Sequence, residues 1–248
     1  MTEPTSLRKH LPEAHDIEAT CKTCGKKFMS FEWTKKITGD RWCMSCVNIE
    51  QDKRRQEDKE RKEQQEMRDR KALWSRTCPP LYRHSDIDRL PKQQYQQIMA
   101  WQHGERGLLL VGKTGSGKSR CAWQLMRRLI LVDGLDVMAF DSIGFGHDCA
   151  KHFGNYNGDR WVKTVSRVPV LFFDDFDKLT LTERVESELF GVIEHRIAHL
   201  LPIIITTNAT GNTLEKKMTA MRGAALIRRL RESCDAIIFD NTIDERST

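Results

Sequence analysis

The chain has 248 residues, a formal net charge of +6 at neutral pH and 31% charged residues. This length accommodates one domain of moderate size with an appendage, and no apolar run approaches the roughly 20 residues of a membrane-spanning helix. Because the polar N-terminus has no apolar signal-peptide core, we expect a cytoplasmic protein with no membrane partner. Its cysteines are then expected to be metal ligands or packing residues rather than disulfides.

Four cysteines near the start of the chain form two C-x-x-C pairs, Cys21/Cys24 and Cys43/Cys46. Their separation falls within the pattern of tetrahedral Zn²⁺ sites. Because this segment is too short to fold on apolar burial alone, metal binding would supply the free energy of folding. Aromatic residues lie between or beside the pairs: Phe28, Phe31, Trp33 and Trp42. The alternatives are two chance pairs or a redox dithiol. We predict a four-cysteine zinc module over residues 1–50, and its partner, protein or nucleic acid, stays open.

Residues 51–76 have a different character, with interleaved acidic and basic side chains and no Gly or Pro. Pairs at i,i+4 such as Glu57–Arg61 favour an exposed helix. A helix that is polar all round bridges domains, so this segment is predicted to be a charged helical linker. Acidic residues offset nearly all of its basic ones, which favours a solvated face over a nucleic-acid contact.

The stretch GKTGSGKS fits the phosphate-loop pattern G-x-x-x-x-G-K-[ST]. An apolar strand, Gly107–Val111, precedes it, and apolar residues at helical spacing follow it, which disfavours a mere Gly/Ser-rich turn. Lys118 would reach the β- and γ-phosphates of ATP, and the Ser119 hydroxyl would hold Mg²⁺. The predicted nucleotide-binding residues are Gly112, Lys113, Thr114, Gly115, Ser116, Gly117, Lys118 and Ser119.

Two further apolar runs end in polar side chains. The run before Asp174 and Asp175 would deliver Asp174 to Mg²⁺, and Asp175 would orient or deprotonate the attacking water. The run before Asn208 would place its amide near the γ-phosphate or the attacking water, although ordinary turn chemistry also explains an Asn there.

The remaining pattern completes an alternation of strands and helices. It predicts strands at Leu135–Phe140 and Ala236–Phe239, and a weak helix from His147 to Phe153. It also predicts a helix opened by a capping box at Thr180–Glu183, and another from Leu214 to Leu230. Five apolar strands alternating with helices indicate an α/β fold with a doubly wound parallel sheet and its ligand at the carboxyl ends of the strands.

Five segments in this order, CPPLYRHSDIDRL, GKTGSGKS, VLFFDDFDK, PIIITTN and RRLRES-CDAIIF, resemble the AAA+ ATPases of the DnaC/DnaI helicase-loader and IstB group. The resemblance covers roughly Thr77 to Arg246, within a predicted ATPase domain of residues 77–248. The N-terminal cysteine module resembles that of the DnaI type of loader. The resemblance implies a five-stranded P-loop domain without the helical lid, with ATP, Mg²⁺ and Zn²⁺ as cofactors.

The resemblance also implies residue roles. Asp174 corresponds to the Mg²⁺-associated acid, Asp175 stands where many members have Glu, and Asn208 corresponds to the polar sensor. Arg229 corresponds to the arginine that reaches a neighbouring subunit's γ-phosphate, the alternative being a basic helix end that complements the helix dipole. Arg246 is assigned as a second sensor.

The function that this resemblance implies is ATP-dependent loading of a hexameric replicative helicase onto single-stranded DNA, with self-association through the ATPase domain. One alternative is an IstB-like transposition ATPase that assembles on DNA. The other is a zinc-finger adaptor whose ATPase core is only a nucleotide switch.

Overall fold

The computed structural model describes residues 16–31, 42–152, 158–209, 211–216 and 218–239. Trp33 and Arg246 lie outside these ranges. The chain divides into two compact units, Met1–Glu66 and Met67–Thr248. The finer division predicted at residues 50/51 and 76/77 stays a prediction.

The first unit contains a hairpin and the start of a long helix. Strands β1 (Asp16–Thr20) and β2 (Lys27–Phe31) pair antiparallel, and helix α1 spans Met44–Thr77. The hairpin was not predicted, because its strands are short and flank the first cysteine pair. Of the predicted aromatic core, Phe28 is half-buried and the side chain of Trp42 is 45% exposed.

Helix α1 confirms the helix predicted from the charged segment. Exposed i,i+4 ion pairs such as Arg54–Glu50 and Lys59–Glu63 lie along it. These pairs stabilise a helix by a few tenths of a kcal/mol each. The last turns, from Met67 onward, belong to the second unit, where Trp74 is buried. The Arg83 guanidinium donates to the Ser75 carbonyl at 2.6 Å, which satisfies an acceptor near the end of the helix.

The second unit is built around a five-stranded parallel sheet in the order β4-β5-β6-β3-β7. The strands are β3 (Gly107–Gly112), β4 (Val137–Phe140), β5 (Val170–Phe173), β6 (Ile203–Thr207) and β7 (Cys234–Phe239). All residues of β5 and β6 are buried, as expected for central strands of a parallel sheet covered on both faces. All five carboxyl ends therefore meet at one edge of the sheet.

Eight helices of the described residues accompany this sheet. They are α2 (Pro80–Arg83), α3 (Lys92–Ala100), α4 (Lys118–Leu131), α5 (Gly144–His152), α6 (Gly158–Arg167), α7 (Glu183–Ala198), α8 (Gly211–Glu215) and α9 (Ala220–Ser233). Two 3₁₀ turns, Ile87–Arg89 and Phe176–Lys178, complete the unit. None of the described helices is long and apolar enough to cross a membrane.

Two predicted helix boundaries were wrong. The capping box was placed with Thr180 as the N-cap, but the cap is Thr182, whose hydroxyl accepts the Val185 N–H at 3.3 Å. The predicted helix from Leu214 to Leu230 is two helices, α8 and α9, with Thr219 as the extended N-cap of the second. Glu186 accounts for this break, because its buried carboxylate accepts both the backbone N–H and the hydroxyl of Thr219, at 3.0 and 2.6 Å.

A fully buried guanidinium ties α7 to the chain around it. Arg196 donates to the carbonyl oxygens of Val168 and Pro202, both at 2.7 Å, and to those of three further residues, Val165, Ser166 and Pro169. These carbonyls come from the end of α6, the entry to β5 and the entry to β6. Burial lowers the pKa of Arg196 to about 10. The Arg196 side chain thus holds the amino ends of β5 and β6. The carboxyl ends of the same two strands lead into the predicted site residues.

Candidate nucleotide and metal sites

The predicted phosphate loop lies between the end of β3 and the start of α4. Gly115 and Gly117 have φ angles of 84° and 90°, in the left-handed region that favours glycine. A Cβ at Gly117 would also lie 3.1 Å from the Pro91 ring. A Cβ at Gly112 would lie 2.5 Å from the Phe239 carbonyl oxygen of β7. Glycine is therefore required at these positions by backbone conformation and close approach.

Lys118, the first residue of α4, is 4% exposed. Its ammonium donates to the carbonyl oxygens of Gly112 and Lys113 at 2.9 and 2.8 Å, and to Asn208 Oδ1 at 2.9 Å. Burial lowers the pKa of Lys118, and the nearby carboxylates of Asp175, Asp177 and Asp174 oppose this shift. The side chain is a desolvated cation held across the loop, which is the arrangement needed to bind phosphate oxygens.

Ser119 and Asp174 meet as predicted for an Mg²⁺ site. The Ser119 hydroxyl donates to Asp174 Oδ1 at 2.7 Å. Two residues not singled out from the sequence complete the shell of this carboxylate: the Thr206 hydroxyl donates to Oδ1 at 2.6 Å and the Trp123 indole to Oδ2 at 3.3 Å. A hydroxyl and a carboxylate are hard oxygen ligands of the kind that Mg²⁺ prefers. These two side chains therefore fit the metal.

The sequence contained a signal for one of these two partners of Asp174, the residue Trp123. Trp123 follows Ser119 at i+4, so both lie on one face of α4. Tyr82 of α2 stacks on Trp123, with ring centroids 6.0 Å apart, and burial raises the pKa of its phenol, with a further contribution from Asp174. An isolated Trp or Tyr is usually a core residue, and only the fold shows that this pair adjoins the site.

Asp175 occupies an unusual backbone position. Its φ is 55°, so the chain turns sharply after β5, and its N–H donates to the Thr206 hydroxyl at 2.8 Å. The Lys178 ammonium donates to Asp175 Oδ2 at 2.6 Å, and this bond raises the pKa of Lys178. In this structure the carboxylate predicted to act on water is paired with a cation.

Asn208 lies at the end of β6, beside β3 in the sheet. Its Oδ1 accepts from Lys118, and its backbone N–H donates to Asp177 Oδ1 at 2.8 Å. Its side-chain Nδ2 lies 3.4 and 3.3 Å from the two oxygens of the same carboxylate. Burial raises the pKa of Asp177, but the hydrogen bonds from Asn208 and Thr207 outweigh it and leave the pKa lowered. Asp177 was not singled out from the sequence.

Arg229 lies on α9 and contacts α7 rather than the phosphate loop. It forms an ion pair with Glu194 and lies over the Phe190 ring, 5.6 Å from its centroid. About 30% of its side chain is exposed. Arg246 lies outside the described residues, so its predicted role stays a prediction.

The four predicted zinc ligands come together in the first unit. The Sγ atoms of Cys21, Cys24, Cys43 and Cys46 all lie within 4.8 Å of one another. A tetrahedron with Zn–S bonds of about 2.3 Å places its sulfur atoms about 3.8 Å apart, so the cluster fits the ion closely. The Cys24–Cys43 distance is 3.6 Å.

The backbone closes the turn of the first cysteine pair and favours the thiolate of Cys21. Gly25, at φ 72°, donates its N–H to the Cys21 carbonyl at 2.9 Å and closes the first turn. The second pair lies at the N-terminus of α1, where the helix dipole stabilises negative charge. Hydrogen bonds from the backbones of Cys43 and Cys24 lower the pKa of Cys21 to about 6. Hydrogen bonds with the thiols of Cys24 and Cys43 raise the pKa of Cys46 to about 12.

The other four cysteines, Cys78, Cys121, Cys149 and Cys234, are all buried, which agrees with their prediction as packing residues.

No protein-family model matches the chain, and no curated protein matches it. Solved structures do. A putative primosome component from Streptococcus pyogenes is similar with 22% identity and a TM-score of 0.54, over 69% of this chain and 96% of that one. The crystal structure of the DnaC helicase loader is similar with 19% identity and a TM-score of 0.52, over 68% of this chain and 99% of that one.

A third similar structure is the replication initiator DnaA bound to AMPPCP and single-stranded DNA, with 15% identity and a TM-score of 0.52. The match covers 66% of this chain and about half, 51%, of that one. At these identities the likeness establishes the fold. The chain therefore has the fold of the DnaC, primosome-component and DnaA structures, and it carries a four-cysteine cluster that fits zinc.

Proposed function

We propose that this protein binds and hydrolyses ATP. The observation that carries the proposal is the meeting of Lys118, Ser119, Asp174 and Asn208 at the carboxyl edge of the sheet. The loop glycines leave room for phosphate oxygens, Lys118 supplies positive charge, and Ser119 with Asp174 would hold Mg²⁺, which neutralises charge on the phosphates when bound. The similar DnaA structure is bound to AMPPCP, a nucleotide analogue, which supports this proposal.

The test is MgATP binding by calorimetry and hydrolysis by phosphate release, with Lys118→Ala as the variant. We expect this variant to lose nucleotide binding, because the removed ammonium contacts the loop carbonyls and Asn208. Its zinc content and its free energy of unfolding in urea should match those of the wild type, which shows that both units have folded. Wild-type nucleotide affinity in Lys118→Ala would contradict the assignment.

We further propose that ATP drives loading of a hexameric replicative helicase onto single-stranded DNA. Two observations support this role: the fold likeness spans nearly the whole of the DnaC helicase loader, and it spans nearly the whole of a putative primosome component. In this proposal the four-cysteine module is the part that contacts the helicase. In this proposal ATP hydrolysis requires self-association, because Arg229 acts on a neighbouring subunit's γ-phosphate.

Complex formation tests the loader proposal. The protein, with ATP, is mixed with the hexameric helicase of its source and analysed by light scattering on a sizing column. We expect a complex with the wild type and none with Cys24→Ser, which removes one zinc ligand. No complex under any nucleotide condition would contradict the proposal.

The pairing of Asp175 with Lys178 favours one second candidate, a zinc-finger adaptor whose ATPase domain is only a nucleotide switch. A carboxylate bound to a lysine at 2.6 Å is a poor acceptor for a water proton until that lysine leaves. ATP turnover stimulated by DNA would exclude the switch, and tight ATP binding without turnover would support it.

A further inference from the structure

Asp177 links the ends of the two neighbouring strands β5 and β6. It lies in the 3₁₀ turn that follows the left-handed Asp175, which directs the turn toward the end of β6. There its carboxylate accepts from the Asn208 backbone N–H, from Asn208 Nδ2 and from the Thr207 hydroxyl, the last at 3.2 Å. Its depressed pKa is consistent with a carboxylate that stays ionised in this position.

The side chain of Asn208 therefore lies between an anion and a cation. Its NH₂ group faces the Asp177 carboxylate, and its oxygen accepts from the Lys118 ammonium at 2.9 Å. Rotating the amide by 180° would place the NH₂ group against the ammonium and the oxygen against the carboxylate. Both contacts would be repulsive, so the two charged neighbours together determine which end of the amide points to the loop.

We propose that Asp177 is a positioning residue that holds Asn208 with its oxygen, and not its nitrogen, toward Lys118 and the phosphate position. This inference rests on the proposed ATP site and assigns chemistry within it. Phosphate oxygens only accept hydrogen bonds, so an Asn208 held in this way cannot donate to the γ-phosphate. It acts instead as an acceptor which, when ATP is bound, accepts a hydrogen bond from the attacking water.

The two acids of this turn, Asp175 and Asp177, contact different residues. Phe176, which lies between them in the sequence, is buried in the core and holds this turn against the rest of the unit. Asp175 faces Lys178 and Asp177 faces Asn208. These hydrogen bonds to different residues assign the two carboxylates different roles.

The experiment compares wild type with Asp177→Ala and with Asp177→Asn, which keeps the shape and one acceptor oxygen. The matched control is Asp136→Asn. Asp136 is an exposed aspartate directly before β4, at the amino ends of the strands and away from the site. The first readout is the NMR signals of the Asn208 side-chain amide in the nucleotide-free protein, which are assigned through their loss in Asn208→Ala. The second readout combines steady-state ATP hydrolysis with MgADP affinity.

We expect the Asn208 amide signals to move in Asp177→Ala and to stay in place in the control. We expect kcat to fall about 10- to 100-fold in Asp177→Ala, since misplacing a positioned group costs that much. MgADP affinity should stay within about threefold of wild type, because only the hydrolytic step uses the fixed amide. Asp177→Asn should give an intermediate kcat.

Unchanged Asn208 signals in Asp177→Ala would overturn the proposal. So would a parallel loss of kcat and MgADP affinity, which would make Asp177 part of the loop's structural support. If the wild-type protein binds no nucleotide, the proposed function fails, and the amide spectrum of the nucleotide-free protein still decides whether Asp177 orients Asn208.

Discussion

Thr206→Val tests the polar network beneath the proposed metal site. Thr206 is fully buried, and its hydroxyl donates to Asp174 Oδ1 at 2.6 Å while accepting the Asp175 N–H at 2.8 Å. Valine has nearly the same shape, so the substitution removes both hydrogen bonds without creating a cavity. The change in free energy of unfolding then reports the network itself.

The expected magnitude follows from the two partners. A hydrogen bond to a charged group contributes about 1.5–3 kcal/mol and a neutral one about 0.5–1.5 kcal/mol. The added buried methyl group offsets about 0.8 kcal/mol. We therefore expect Thr206→Val to lower the free energy of unfolding by roughly 2–3 kcal/mol.

Urea denaturation of the full chain measures this value. The matched control is Thr164→Val on α6, where an exposed threonine only donates to the Arg160 carbonyl of its own helix. The control should change the free energy of unfolding by less than about 0.5 kcal/mol, as surface substitutions usually do. If Thr206→Val costs no more than the control, the buried network does not stabilise this end of the sheet, and the reasoning that places Asp174 is wrong.

Three further predictions concern other parts of the molecule. Cys24→Ser, or treatment of the wild type with a strong chelator, should remove zinc and unfold the first unit while leaving MgATP affinity unchanged; retention of one zinc per chain would refute the four-cysteine site. Arg196→Met should lower the free energy of unfolding by about 3–5 kcal/mol, because several buried carbonyl oxygens lose their donor, and a cost below 1 kcal/mol would contradict this structural role. Arg229→Ala should retain MgATP binding but lose assembly-dependent hydrolysis by about 10³-fold or more, whereas its exposed neighbour in Arg228→Ala should behave as wild type.

Much of the second unit follows from local pattern. The apolar runs before Gly112, Asp174 and Asn208 are short and bounded by polar residues, so their strands and the edge they share were predictable. The order GKTGSGKS, DD and N then placed Lys118, Ser119, Asp174 and Asn208 in one site, and the structure brings these four together. The four-cysteine cluster was equally predictable, because two C-x-x-C pairs at this spacing have few other uses.

What the sequence did not provide depends on contacts between distant residues. Thr206 and Asp177 become important only because parallel pairing sets the end of β6 beside the end of β5. The break between α8 and α9 arises from the contact of Glu186 with Thr219, which no local propensity encodes. The N-cap of α7 was misplaced because Thr180 and Thr182 are equally good caps, and only the tertiary path of the chain selects between them.

The most direct test of the loader proposal is helicase loading onto closed circular single-stranded DNA. A preformed hexamer cannot thread onto a circle that has no end, so loading requires the ring to open. We expect ATP-dependent accumulation of the helicase on the circles when the wild-type protein is added, and none with Lys118→Ala or Cys24→Ser. Loading that is equal with and without this protein, or that is unchanged in Lys118→Ala, would contradict the loader proposal.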